Sequence, residues 1–190
     1  MDKPKLIVVG GPNGAGKSTL AVAYAIENHI DYLGADAIAK DLAPEDPFSM
    51  RIRASQVFLE RLRESIAGQQ SLVVESTLAG KSLRRYLGKA NEAGYQTTVV
   101  FTFLDSAVAC IDRVLQRKRQ GGHDVPVEDI NRRFFRTINN FWNVYRPLAD
   151  RWVLYYNGGE VPVQVAFGYD DNSVIQEQEF YELFERLLES

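Results

Sequence analysis

The stretch Gly11-Pro12-Asn13-Gly14-Ala15-Gly16-Lys17-Ser18-Thr19 decides how the rest of this chain is read. It has the spacing G-x-x-x-x-G-K-[ST], and each fixed position has a physical reason. Glycines let the backbone curl until successive N–H groups point inward at phosphate oxygens, an approach that side chains would block. A helix starting near Lys17 adds the positive end of its dipole. Lys17 can then reach the β- and γ-phosphates of a nucleotide, and the Ser18 hydroxyl can take one position on Mg²⁺. Gly11 to Thr19 are therefore the expected nucleotide contacts, with ATP and Mg²⁺ as the expected cofactors.

The flanking residues supply the context this loop needs. Leu6-Ile7-Val8-Val9 makes Lys5–Gly10 a buried strand, and the Ala-rich segment from Lys17 to about His29 reads as a helix. Asp31–Ala35 is a short strand, and Ala43–Phe48, with two prolines, is a loop. Met50, Ala54, Val57, Phe58, Leu62 and Ile66 recur at helical spacing up to Gly68. Ser71–Glu75 follows as a strand, and Leu83, Leu87, Ala90 and Ala93 mark a helix closed by Gly94.

Thr97–Leu104 is the clearest strand, and Ser106 suits the cap of a helix reaching about Gln120. Gly121-Gly122-His123-Asp124-Val125-Pro126 interrupts the helical pattern. Ile130, Phe134, Ile138, Phe141 and Tyr145 then stripe a helix that stops before Pro147. Arg151–Tyr156 and Val161–Phe167 read as strands about an Asn157-Gly158-Gly159 turn, and Val174–Leu188 as a closing helix. Alternating strands and helices give an α/β class: a three-layer P-loop arrangement with a mostly parallel sheet of five to six strands and helices on both faces. The closing hairpin adds an antiparallel edge. With no repeat or linker, residues 1–190 read as one domain.

Bulk composition narrows the partners. The balance of 45 % hydrophobic and 25 % charged residues is that of an ordinary globular protein. A net charge of −3 supplies no basic field for nucleic acid or an anionic membrane surface. The single cysteine, Cys110, excludes an internal disulfide and falls in an apolar helix, where it reads as a small buried hydrophobe. No apolar run reaches spanning length, so a cytoplasmic location is expected.

Several residues outside the loop carry candidate chemistry. Asp36 follows a strand, so it is expected at the carboxyl edge of the sheet, where ligands gather. There it suits a general base for an attacking hydroxyl, a helix N-cap or a solvated loop acid. Glu75 ends the strand Leu72-Val73-Val74 in a Walker B-like pattern and is the candidate second metal-binding group beside Ser18. Ser76 and Thr77 add hydroxyls for phosphate or acceptor. Arg113, Arg117, Lys118 and Arg119 precede the glycine pair, and Arg132, Arg133 and Arg136 follow it. Two arginine-bearing helices about a glycine hinge, roughly residues 117–133, suit a lid closing over a transferring phosphoryl group; a solvated basic face is the alternative. His123 suits either a substrate contact or a loop-structuring role, and His29 suits a helix cap. Asn157 is placed either against the nucleotide base or in an ordinary hairpin turn.

Taken in order, Gly11–Thr19, Gly34-Ala35-Asp36, Glu75-Ser76-Thr77-Leu78-Ala79-Gly80, Arg119–Pro126 and Asp129–Phe134 resemble the zeta toxin family, in its bacterial branch often labelled predicted ABC-type ATPase. The likeness runs from about residue 5 to 157. It implies an adenylate-kinase-like core and ATP-dependent phosphorylation of a hydroxyl. By that resemblance Asp36 is the base, Lys17 and Ser18 hold phosphates and Mg²⁺, and Glu75 with Thr77 lines the acceptor pocket. Arg119 and Arg132 are then the pair that reaches the γ-phosphate, and a UDP-N-acetylglucosamine-like sugar nucleotide is the implied acceptor. The loop is also similar to that of ABC transporter ATPases, but no Leu-Ser-Gly-Gly-Gln-like signature follows it.

Two other readings stay open. A nucleoside, nucleotide or polynucleotide 5′-hydroxyl kinase shares the loop and the lid. A nucleotide-gated binding module would present ATP occupancy to a partner such as an antitoxin, without turnover.

Overall fold

A computed structural model describes residues 3–122, 125–169 and 172–190, and in it β1 (Lys5–Gly10) runs through a seven-stranded sheet. The other strands are β2 (Asp31–Gly34), β3 (Leu72–Ser76), β4 (Gln96–Phe103), β5 (Arg151–Tyr156), β6 (Val163–Tyr169) and β7 (Asn172–Ile175). Their spatial order is β2-β3-β1-β4-β5-β6-β7. The first five pair in parallel, whereas β5 with β6 and β6 with β7 pair antiparallel. The helices are α1 (Lys17–Asn28), α2 (Ala35–Leu42), α3 (Arg51–Ala67), α4 (Ser82–Glu92), α5 (Ala107–Arg119), α6 (Val127–Asn140) and α7 (Gln178–Leu188).

The unbroken apolar run of β1 is explained by burial on both faces. Leu6 and Val8 enter one core cluster while Ile7 and Val9 enter the other, which is the two-residue period of a strand. The two faces are unequal. Among the helices, α1 supplies the smaller cluster through Ala21 and Ala25, whereas Phe58, Leu87, Val114, Phe134 and Phe184 bring α3, α4, α5, α6 and α7 onto the larger. Aromatic rings fill its centre: Phe101 stacks on Phe141 at 4.3 Å, and Phe184 meets both edge-on.

The sheet has one strand more than the sequence reading expects. Val174 and Ile175, read there as the start of the closing helix, instead pair with Phe167 and Ala166 in β7. Their branched side chains suit a pleated surface, and the helix begins only at Gln178. Helix α2 was also not legible, being only eight residues long. The stripe Ile130–Tyr145 is buried as expected, but beyond Asn140 it continues through a π-helical turn, Phe141–Tyr145, and a 3₁₀ turn at Arg146–Leu148. Among the described residues no helix is long and apolar enough to cross a membrane.

Candidate active site

The parallel register brings three chain segments to one edge. Gly10 lies opposite Ser76 and Phe101, and Gly34 lies opposite Glu75. The chain leaves β1 into residues 11–16, leaves β2 directly into α2, and leaves β3 into the loop before α4. This carboxyl edge is where an open α/β sheet holds its ligands. A cleft of about 920 Å³ opens there. It is lined by Asn13, Gly14, Gly16, Lys17, Ser18 and Thr19 of the glycine-rich loop and α1, and by Asp36, Glu75, Ser76 and Thr77.

The glycine-rich loop is shaped by what lies beneath it. Gly11 has φ +150°, and a β-carbon there would run into the Thr102 carbonyl of β4. Gly16, the left-handed N-cap of α1, has φ +83°, and its β-carbon would strike the Asn157 amide. The Ala15 carbonyl between them accepts from Thr102 Oγ1 at 3.0 Å and from Asn157 Nδ2 at 2.9 Å. The Ala15 N–H turns back to Pro12 O at 3.2 Å. The loop is thus tied to β4 and to the end of β5, and it delivers the first N–H groups of α1, which have no intrahelical partner, toward the cleft.

Lys17 is only 7 % exposed, and its Nζ donates to the Pro12 carbonyl at 2.9 Å. Burial pushes its pKa down, while the Glu75 and Asp36 carboxylates oppose that shift. Ser18 Oγ donates to Glu75 Oε1 at 3.0 Å, and Tyr32 donates to Glu75 Oε2 at 2.6 Å. Both carboxylate oxygens are therefore oriented. Burial and the adjacent Glu75 carboxylate push the Tyr32 phenol up, so it stays a donor at neutral pH.

A hydroxyl beside one carboxylate is not a metal cage. Among the described residues no cluster of three or more His, Cys, Asp or Glu side chains could hold an ion alone. The donor set fits Mg²⁺, which keeps waters and takes the remaining ligands from a nucleotide's phosphates.

Asp36 stands in the first turn of α2, exposed at the cleft wall. The loop carrying Thr77 is held from behind by the end of α6 and its π-helical turn. Asn140 Nδ2, buried, donates to the Leu78 carbonyl at 2.8 Å, and Tyr145 OH donates to the Gly80 carbonyl at 2.6 Å. Leu78 has φ +57°, a left-handed backbone that a branched apolar residue adopts only when its surroundings impose it.

Arginines reach the cleft, though not the expected pair. Arg113, Arg117 and Arg133 line it, whereas Arg119 and Arg132 do not. Arg132 is 53 % exposed and binds Asp129 Oδ1 at 2.6 Å, while Arg133, 31 % exposed, binds Asp129 Oδ2 at 3.0 Å. The Arg132 hydrogen bond, ahead of the other charges, holds the Asp129 carboxyl below its usual range. Asn157 is likewise not a cleft-lining residue, its amide being spent on the loop. His123 lies outside the described residues.

Three further expectations meet their structures here. His29 caps α1 in a left-handed conformation, its N–H bonded back into the helix. Cys110 is fully buried, and burial pushes its thiol up to about 12. Gly121, at φ +80°, and Gly122 close α5 through N–H bonds to the Lys118 and Arg117 carbonyls, the two bonds of a Schellman stop. Sequence reasoning passed over Tyr32, Thr102, Asn140 and Tyr145, whose partners lie far away along the chain.

Comparison with known proteins agrees with this architecture. A family model described as an AAA domain matches residues 6–136. The sequence matches no curated protein. The structure of AvrRxo1-ORF1:AvrRxo1-ORF2 with sulphate ions is similar at a TM-score of 0.74 and 19 % identity, over 98 % of this chain. A second structure of that complex contains ATP. This chain spans 64 % of the chain matched there. The PezAT chromosomal toxin–antitoxin system of Streptococcus pneumoniae follows at 0.63 and 14 % identity, covering 100 % of this chain and 87 % of its own. A gluconokinase from Sinorhizobium meliloti is similar at 0.54 and 20 % identity, over 100 % and 94 %. At such identities these likenesses establish the fold.

Proposed function

The chain belongs to the AAA domain family, and from that premise we propose that it is an ATP-dependent phosphotransferase acting on a hydroxyl of a small acceptor. The observation that carries the reading is the convergence of Lys17, the Ser18–Glu75 pair and Asp36 on one cleft. A loop that only binds nucleotide has no need of a free carboxylate facing it across an open pocket.

In this reading residues 11–19 wrap the triphosphate of ATP with backbone N–H groups, and Lys17 leaves the Pro12 carbonyl for the β- and γ-phosphates. Ser18 and Glu75 would hold Mg²⁺, which when bound neutralises charge on the phosphates. Asp36 takes the proton of the acceptor hydroxyl as its oxygen bonds to the γ-phosphorus. The bond from that phosphorus to the β–γ bridging oxygen breaks, and ADP leaves with the electron pair. Thr77 orients the acceptor beside Asp36, and the arginines lining the cleft face the transferring group.

A sugar nucleotide is the first acceptor to test, on the resemblance to zeta toxins. The toxin–antitoxin and AvrRxo1 complexes among the similar structures support asking whether an antitoxin-like protein binds this chain. The deciding experiment incubates the protein with γ-labelled ATP and a metabolite extract and asks which compound gains phosphate. A labelled acceptor, lost in Asp36→Asn with ATP affinity kept, is the expected result. Free phosphate alone would replace the kinase by an ATPase switch.

A further inference from the structure

The cleft also has a lining that the phosphoryl chemistry does not use. The loop before α3 and the first two turns of that helix add Phe48, Arg51, Ile52 and Ser55 to the cleft lining. Phe48 is 46 % exposed and Ile52 66 % exposed, large apolar side chains kept in solvent at the mouth of a pocket. Singly exposed hydrophobes need no explanation, but two that line the same cleft mark a surface that something covers.

Arg51 adds charge to that surface. Its guanidinium lies 4.0 Å above the Phe48 ring, and Nη1 donates to the Phe48 carbonyl at 3.0 Å. One of five N–H donors is thereby used, and the stacking fixes the plane of the rest. Lys17, Arg51, Arg113, Arg117 and Arg133 line the cleft against three acids, Asp36, Glu75 and Asp129. Asp46 accepts from the Ser49 N–H at 3.3 Å, and Asp129, facing Arg51 from α6, is held by Arg132 and Arg133. No acid stands in the first turn of α3. The mouth thus combines an apolar, partly aromatic wall with positive charge in excess.

We infer that the acceptor carries, away from its reacting hydroxyl, a flat apolar ring and an anionic group, the ring covering Phe48 and Ile52 and the anion meeting Arg51. This deepens the phosphotransferase reading and relies on it for the hydroxyl alone. The binding surface itself can be tested without turnover.

The test is calorimetric titration of phenyl phosphate into the full chain with the nucleotide loop filled by Mg²⁺ and a non-hydrolysable ATP analogue. Binding is expected, at least fivefold weaker for inorganic phosphate and for benzyl alcohol. It should weaken at least fivefold in Arg51→Ala and in Phe48→Ala, and stay unchanged in Arg63→Ala, farther along α3. Unchanged affinity for the ATP analogue shows that each variant is folded. Phenyl phosphate that fails to bind, that binds no better than benzyl alcohol, or that ignores Arg51→Ala overturns the inference. Loss of the phosphotransferase reading would show instead in the labelled-ATP experiment and would leave this titration as it stands.

Discussion

Asn157 donates its side-chain amide to the carbonyl of Ala15 at 2.9 Å, across 142 residues of chain. Thr102 shares that acceptor from the neighbouring strand. The residue at the end of β5 therefore acts on the phosphate loop from below. In an unligated loop such a contact fixes the curvature before any nucleotide arrives, so less ordering entropy is lost on binding.

Asn157→Ala should weaken ATP and GTP binding alike. The loss of one hydrogen bond to the loop corresponds to roughly 0.5–1.5 kcal/mol, or about two- to twelvefold in affinity. Titration of both nucleotides into wild type and variant checks it. A fall for ATP with none for GTP would mean that Asn157 reads the base, as the sequence alone also allowed.

Lys17 gives a pH signature. Its folded pKa lies below the unfolded 10.5 because it is buried. Below the folded pKa both states hold the proton, and Lys17 contributes no slope. Between the folded value and 10.5 the unfolded state binds more protons, so the stability of the nucleotide-free protein rises with pH. The limit is about 1.4 kcal/mol per pH unit for one proton. Urea unfolding of wild type and Lys17→Met at several pH values should therefore show the wild type gaining on the variant as pH climbs toward 10.5. A constant difference would mean that Lys17 keeps an ordinary pKa in the fold.

What was legible in the sequence was local. The strand, loop and helix around residues 5–28 are contiguous, and two strand-end acids, Asp36 and Glu75, follow from the apolar runs before them. The supports of the site were not legible, because each is a contact between distant segments. Thr102 reaches Ala15 across 87 residues and Asn140 reaches Leu78 across 62. A buried threonine or asparagine has no periodic signature. The glycine pair after α5 shows a different limit: a glycine that ends a helix in the left-handed region and one that serves as a hinge have the same sequence. Which arginines line the cleft was not legible either, because the phase of α5 and α6 against it is set by tertiary packing.

Asn140→Ala should unfold at lower urea, by roughly 1–3 kcal/mol, because it leaves the Leu78 carbonyl buried without its donor. The slope of the transition should not change. Leu78 is held in the left-handed region by its surroundings, so the same variant should also speed amide exchange across residues 77–81. Unaltered exchange there would show that the loop keeps its shape without Asn140.

The two arginines held by Asp129 separate the structural reading from the resemblance. Arg133 lines the cleft and is the less exposed, whereas Arg132 points to solvent. An arginine that neutralises charge on a transferring phosphoryl group contributes on the order of 10³-fold to kcat. An exposed ion pair contributes under about 1 kcal/mol to stability and has no claim on the rate. With the acceptor found by the labelled-ATP screen, Arg133→Ala should lower kcat by about two to three powers of ten, and Arg132→Ala by less than about threefold. Steady-state kinetics of the two variants, with ATP affinity measured alongside, decides between them. The reverse order would mean that α6 turns or shifts when nucleotide and acceptor are both bound, bringing Arg132 over the phosphate.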